Sequence, residues 1–251
     1  MYLDPLLEAA KIAAQKASDE IIKIYKSGDF SVEAKADNSP LTLADKAAHV
    51  AIVDVLSPTG IPILSEEGKA IPFNIRKDWE YFWMIDPLDG TKEFIKKNGE
   101  FTVNIALIHG GKVVLGVVYT PVIGEMYWAS QGSGAFKDGN PLRVNDFKIT
   151  DQNLKVVASR SHLTSETQEF LDGLDAPEVV SKGSSLKLLM VAEGLADLYP
   201  RYAPTMEWDT AAAQIIVEEA GGSVSIKDSD ESVNYNKKDL LNPWFLVAGE
   251  F

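Results

Sequence analysis

Cysteine is absent from the 251 residues. Disulfides, zinc–thiolate sites, iron–sulfur clusters and cysteine nucleophiles are thereby excluded. Histidine is nearly as scarce: His49, His109 and His162 stand far apart, in neither a His-x-His nor a His-Glu-x-x-His spacing. No Gly-x-Ser-x-Gly elbow, no Gly-x-x-x-x-Gly-Lys-Ser/Thr loop and no Gly-x-Gly-x-x-Gly helix opening occurs; Gly132-Ser133-Gly134 reads as a turn. Positive charge is in deficit, with 24 Lys+Arg against 37 Asp+Glu and a net charge of −13 at pH 7. A nucleic-acid polymer, which needs a broad basic face, is a poor partner for such a chain. Small anions are not excluded, because carboxylates that gather cations become anion sites in turn. Long apolar runs are missing too. The longest uncharged, mostly apolar stretch lies between Lys112 and Glu125 and is broken by Gly116 and Pro121, well short of the ~20 residues that span a bilayer. Met1-Tyr2-Leu3-Asp4-Pro5 has an early acid and no basic region, so no signal peptide is expected. A cytoplasmic protein is the expectation, with peripheral association at the inner membrane left open.

What is present fits an ordinary globular chain, 45% hydrophobic and 24% charged. A helix is expected from Pro5 to about Lys26, capped by Asp4 and stopped at Gly28, with Leu6, Leu7, Ala10, Ala14, Ala17, Ile21 and Ile24 as its apolar stripe. A turn-rich stretch, Lys35 to Pro40, precedes a second helix from about Thr42 to Leu56. Ile61–Leu64 and Tyr81–Ile85 read as strands, and Thr102–Ile108, Lys112–Thr120 and Glu125–Ala129 as consecutive antiparallel ones. Beyond residue 150, strands near Lys155–Ser159, Val179–Ser181, Ala196–Tyr199 and Phe245–Gly249 alternate with helices near Thr164–Leu174, Ser184–Glu193 and Trp208–Ala220. Two α/β halves, 1–150 and 151–251, are expected to share one compact body.

The most informative run is Trp83-Met84-Ile85-Asp86-Pro87-Leu88-Asp89-Gly90-Thr91-Lys92-Glu93-Phe94. A strand delivers two carboxylates three residues apart, Pro87 and Gly90 are expected to turn the chain between and after them, and Thr91 opens a helix. Carboxylates and a backbone carbonyl suit a hard cation such as Mg²⁺. N–H groups at a helix start suit a phosphate. Asp-Pro and Asp-Gly are also common turn dipeptides, so this run alone does not decide between chemistry and a turn. Glu66, Asp45 and Asp209 stand at other element ends from which side chains can converge. Each has a plainer reading: Thr42-x-x-Asp45 is a capping-box pattern, and Asp209 in a first turn favours the helix dipole.

Taken together these segments resemble the lithium-sensitive, Mg²⁺-dependent phosphatase superfamily that includes inositol monophosphatase. One signature lies in Trp83–Phe94 and a second runs from Trp208-Asp209-Thr210-Ala211-Ala212 to Glu219-Ala220-Gly221-Gly222. Within the superfamily the chain is most similar to the 3′(2′),5′-bisphosphate nucleotidases. That likeness rests on Lys35–Pro40, Lys92-Glu93-Phe94, Asn98–Asn104, Ser159-Arg160-Ser161-His162, Gly183–Lys187 and Tyr199-Pro200-Arg201. The resemblance implies a layered α/β fold, an α-β-α-β-α sandwich. It implies two or three Mg²⁺ ions held by Glu66, Asp86, the Leu88 carbonyl, Asp89 and Asp209. Asp45 and Thr91 would activate water, and Gly90 and Thr91 N–H groups would hold the scissile phosphate. His162, Ser184, Lys187 and Arg201 would contact a nucleotide substrate, adenosine 3′,5′-bisphosphate, whose 3′-phosphate is removed to leave AMP in the service of sulfur metabolism. Two alternatives remain: a phosphatase of inositol or sugar monophosphates, and a non-catalytic protein that binds nucleotide or metal.

Overall fold

The structure, a computed structural model, describes residues 2–28, 33–34, 40–158 and 163–250. The expected turn stretch at 35–39 and the Ser159–His162 segment lie outside them. The first half runs α1 (Asp4–Ser27), β1 (Glu33–Ala34), β2 (Pro40–Leu41), α2 (Leu43–Leu56), β3 (Ile63–Ser65), α3 (Phe73–Arg76), β4 (Tyr81–Asp89) and α4 (Thr91–Ile95). It continues through β5 (Thr102–His109), β6 (Lys112–Thr120), β7 (Glu125–Ser130), β8 (Ala135–Lys137) and β9 (Asn140–Pro141). The second half contains β10 (Lys155–Val157), α5 (Ser165–Asp172), β11 (Glu178–Val180), α6 (Leu186–Ala192), β12 (Leu198–Arg201), α7 (Glu207–Glu219), β13 (Ser223–Ile226) and β14 (Phe245–Ala248).

Strands β3 to β9 form one seven-stranded sheet in chain order, and the other sheet runs β11-β10-β12-β14-β13. Three apolar layers hold these sheets among the helices. Ala10, Ala14, Ala17 and Ile21 of α1 and Ala48 and Ile52 of α2 pack with Trp83, Ile85, Ile105 and Val117 on one face of the large sheet. Phe82, Met84 and Ala106 point to the other face, against Leu189 of α6 and Ala212, Ile215 and Ile216 of α7. The same layer takes in Tyr199, Val224 and Phe245 of the small sheet, whose far face packs Val156 and Leu198 on Leu171 of α5. The order is therefore α-β-α-β-α, as the resemblance implies. A sheet covered on both faces reads as nearly continuous apolar sequence, which is the character of Tyr81–Ile85 and Val103–Ile108. Helix α7 lies so close to β6 that a Cβ built on Gly116 would stand 2.3 Å from the Ala212 carbonyl oxygen.

Three local expectations change. Asp4 is not a cap: it is the first residue of α1, and the N-cap Leu3 offers no side-chain acceptor, while Gly28 ends the helix at φ 76 as expected. No turn separates Asp86 from Asp89. β4 continues through Pro87, and Asp86 and Asp89 oppose Asn104 and Thr102 on β5, so three steps on one strand match two on the other. Pro87 and Leu88 form a bulge, which suits a proline because a bulged residue need not donate to the ladder. The turn comes at Gly90, φ 95, where a Cβ would meet the Glu100 carbonyl oxygen at 3.2 Å and Ser184 Cβ at 3.3 Å. β13, Ser223–Ile226, is an addition: its Ser-Val-Ser-Ile alternation is regular but only four residues long, and pairing with β14 stabilises it.

Candidate active site

The bulge is what gathers the carboxylates. β3 runs parallel to β4 with Ser65 beside Ile85, and the Glu66 amide donates to the Ile85 carbonyl at 3.2 Å, which sets Glu66 next to Asp86. Asp86 is 2% exposed. Burial drives its carboxyl well above the usual range, and the charges of Glu66, Asp89 and Asp209 push it further; Glu66 also hydrogen-bonds to it. Asp209 is driven up to about 8 by burial first and then by Asp89, with Glu66 adding to the effect. Asp86 and Asp209 are thus raised by burial and by the neighbouring carboxylates together.

In each of four aspartates an oxygen is already committed. Asp86 Oδ1 accepts from the Leu88 amide at 3.0 Å, inside the bulge. Asp89 Oδ2 accepts from Ser184 Oγ at 2.8 Å and the Ser185 amide at 2.6 Å. Asp209 Oδ2 accepts from the Met206 amide at 2.9 Å, closing the start of α7. Asp45 Oδ2 accepts from the Thr42 amide at 2.8 Å and from Thr42 Oγ1 at 2.5 Å, a complete capping box. The capping reading and the chemical reading of Asp45 are compatible, because its other oxygen, Oδ1, accepts from Thr91 Oγ1 at 3.1 Å. Thr91 Oγ1 also stands 3.4 Å from the Leu88 carbonyl oxygen. Asp45, Thr91 and the bulge are thus brought together across 46 residues of chain.

The start of α7 is fixed by the C-terminal loop. Glu207, fully buried, accepts from the Asn236 and Lys237 amides and forms an ion pair with Lys237 Nζ at 2.7 Å. Asn242 Nδ2 donates to the Met206 carbonyl at 2.9 Å.

Beside the acidic cluster lies a cleft of about 100 Å³ lined by Asp89, Ser184, Lys187, Tyr199, Arg201 and Asp209. Lys187 Nζ donates to the Ser184 carbonyl at 2.6 Å, and burial pulls its pKa down to about 8. Arg201 donates through Nη2 to the Pro204 carbonyl at 2.8 Å, while its buried Nε has no hydrogen-bond partner. A buried N–H without a partner is costly, which makes this atom a place where a ligand acceptor fits. Ser184, at φ 56, turns its hydroxyl to Asp89 rather than into open space. His162 lies outside the described residues.

The donor set fits a hard divalent cation: carboxylates of Glu66, Asp86, Asp89 and Asp209 with the Leu88 carbonyl, all oxygen, and crowded enough to need a counter-charge. Among the described residues no three acidic or histidine side chains are already drawn to metal-ligating positions around one point. The sequence reading passed over Thr102, Asn104 and Ser185, which surround Asp89. The available signal was two polar residues, i and i+2, in the otherwise apolar strand Thr102-Val103-Asn104-Ile105.

The sequence matches the inositol monophosphatase family over residues 2–248. It is 45% identical over 240 residues to the 3′(2′),5′-bisphosphate nucleotidase CysQ of Escherichia coli (strain K12), covering 94% of this chain and 96% of that one. Identity to the CysQ of Salmonella typhimurium is 45% over 249 residues, covering 97% and 99%. Among solved structures, CysQ from Bacteroides thetaiotaomicron superposes with a TM-score of 0.89 at 45% identity, covering 100% of this chain and 99% of that chain. An inositol monophosphatase of Thermotoga maritima gives 0.79 at 27% identity, covering 98% and 92%.

Proposed function

The chain belongs to the inositol monophosphatase family and is a bisphosphate nucleotidase, and we propose that its substrate is adenosine 3′,5′-bisphosphate, cleaved at the 3′-phosphate to AMP and phosphate with Mg²⁺ as cofactor. The observation that carries the substrate reading is the nearness of half-buried Lys187 and the unpartnered Nε of Arg201 in the cleft that also holds Asp89 and Asp209. A monophosphate would leave those two cations without an anion once its phosphate sat on the acidic side. A bisphosphate supplies one group to each.

Glu66, Asp86, Asp89, Asp209 and the Leu88 carbonyl would hold the metal ions. Bound Mg²⁺ supplies charge that offsets repulsion between a phosphate dianion and its attacking water, acidifies that water and stabilises the leaving alkoxide. Thr91 Oγ1, 3.1 Å from Asp45 Oδ1, orients the water, and Asp45 receives its proton directly or through the threonine hydroxyl. The amides of Gly90 and Thr91 face the scissile phosphate. Lys187, Arg201 and Ser184 take the nucleotide and its other phosphate, a role the resemblance also implies for His162. Residues 1–150 then carry most metal ligands, and 151–251 carry Asp209 and the nucleotide contacts. We assign this activity to sulfur metabolism in the cytoplasm, as the resemblance implies. No described helix is long and apolar enough to cross a membrane.

Phosphate release from adenosine 3′,5′-bisphosphate and inositol 1-phosphate, measured side by side with Mg²⁺ and with added Li⁺, tests the reading. Fast, lithium-sensitive release from the nucleotide alone is expected. Preference for inositol phosphate would keep the metal site and discard the nucleotide cleft. Binding of both nucleotide and Mg²⁺ without release would make the chain a binding protein.

A further inference from the structure

Asp89 is held by more than its own strand. Its register partner on β5 is Thr102, and that of Asp86 is Asn104. Thr102 is fully buried, Asn104 is 1% exposed and Ser185 2%. Thr102 Oγ1 lies 2.6 Å from Ser184 Oγ, which in turn donates to Asp89 Oδ2 at 2.8 Å. Ser185 Oγ donates to Asn104 Oδ1 at 3.0 Å, and Asn104 Nδ2 is 3.4 Å from the same Asp89 oxygen. The Ser185 amide completes the set at 2.6 Å.

The hydrogen bonds have a consistent direction. Asn104 Oδ1 accepts from Ser185 Oγ at 3.0 Å, so its NH₂ is turned to the carboxylate. The reverse orientation would set two oxygens against each other. With Ser184 donating to Asp89, its oxygen at 2.6 Å is the nearest acceptor for the one Thr102 proton, ahead of Ser185 Oγ at 2.8 Å and Asn104 Oδ1 at 3.2 Å. Two relays therefore end on Oδ2, Thr102 to Ser184 to Asp89 and Ser185 to Asn104 to Asp89. A carboxylate oxygen has about two lone pairs to offer, so three donors fill Oδ2 and leave Oδ1 as the outward ligand.

We propose that Thr102 and Asn104 are positioning residues that lock Asp89 through Ser184 and Ser185, so that it presents one oxygen, Oδ1, to the metal. The lock spans the molecule: β5 belongs to the seven-stranded sheet, while Ser184 and Ser185 precede α6 in the second half. Closing it requires Ser184 at φ 56, an unfavourable value for a residue with a Cβ, and the hydrogen bonds to Asp89 and Thr102 hold it there. Partners of this kind fix a ligand's orientation, and their loss typically weakens metal affinity about 10–100-fold.

The proposal rests on Asp89 being a metal ligand, and the test separates the two. Mn²⁺ binding without substrate, followed by electron paramagnetic resonance, is measured for the wild type and for Thr102→Val, Thr102→Ser, Asn104→Leu and Asp89→Asn, with the thermal midpoint of each in chelator. Thr102→Val and Asn104→Leu are expected to weaken Mn²⁺ binding at least about tenfold, with the chelator midpoint close to wild type and with Thr102→Ser restoring affinity. Wild-type affinity in both Thr102→Val and Asn104→Leu, alongside lost binding in Asp89→Asn, overturns the positioning role and keeps the ligand. Undiminished binding in Asp89→Asn overturns the ligand assignment itself. Should Thr102→Val lose stability in chelator and affinity together, with no recovery in Thr102→Ser, the network is packing only and the proposal fails.

Discussion

The two sides of the cleft are built on opposite principles. On one side, Glu66, Asp89 and Asp209 crowd Asp86 and raise its proton affinity; on the other, Lys187 and Arg201 are half-buried cations, Lys187 depressed in pKa and Arg201 with a buried Nε that has no partner. On the acidic side Asp86 and Asp209 are held by backbone amides two or three residues away, and Asp89 by Ser184 and the Ser185 amide across the molecule. The basic side is assembled from a helix start and a strand end, and its groups lean on carbonyls, of Ser184 and Pro204, that a ligand can replace. The acidic half is thus rigidly prepared for a cation that is always needed, and the basic half is left incomplete for a ligand that comes and goes.

The contrast is broken most severely from the acidic side. Asp89→Asn removes a charge from the site while keeping the shape; kcat is expected to fall by roughly three orders of magnitude, several kcal/mol of lost charge stabilisation, with the circular dichroism spectrum unchanged. Wild-type-like turnover would sink the metal assignment. Arg201→Ala on the basic side should lower kcat/KM for the bisphosphate by about 10- to 100-fold, the worth of hydrogen bonds to a charged group, and leave a nucleoside 3′-monophosphate nearly unaffected. Equal losses on both substrates would mean that Arg201 does not meet the second phosphate.

The join between the two sides can be strained without touching either. Gly116→Ala would place a methyl against the Ala212 carbonyl at 2.3 Å and shift α7, which carries Asp209. A stability loss of about 1–3 kcal/mol is expected from such overpacking, read as a lower denaturation midpoint in urea. The smallest effect is on pH. Lys187, with a pKa of about 8 in the free protein, is ordinarily near 10.5. Because folding depresses this base, the unfolded chain holds the extra proton between about 8 and 10.5, so ligand-free stability gains a rising contribution with pH across that window. Affinity for the second phosphate runs the other way: it is flat below about 8 and weakens by up to tenfold per unit above it, as the ammonium is lost. Calorimetric titration with AMP against adenosine across pH 7–10 would show the slope only for the phosphate-bearing ligand; a flat profile would remove Lys187 from the contact.

Much of the fold was legible because it depends on short-range pattern. Thr42 capping α2, Gly28 ending α1 and the β5–β6–β7 meander follow from capping chemistry, left-handed glycine and apolar runs bounded by turn residues. The misread places are instructive. Pro87 signalled a turn and produced a bulge, because pairing with β5 on both sides of it outweighs a local preference. The sequence reading places Thr102 and Asn104 in a strand and in a segment that carries the resemblance, without a role of their own, and their contacts emerge only where the Gly183–Ser185 turn closes over them.

The sequence alone determined the chemistry on offer: oxygen ligands and no thiolate, carboxylates at element ends, a glycine after Asp89, and Lys187 and Arg201 among the cations of a strongly acidic chain. These are properties of side chains and of φ/ψ preference, which travel with the residue wherever it lies. The tertiary structure decided which Asp89 oxygen the Ser184–Ser185 turn engages, that Asp45 serves its helix and Thr91 at once, and that Lys187 and Arg201 line the cleft beside Asp209. Those outcomes depend on contacts between residues tens of positions apart, fixed by sheet register and by the close seat of α7 on Gly116, which no local pattern encodes.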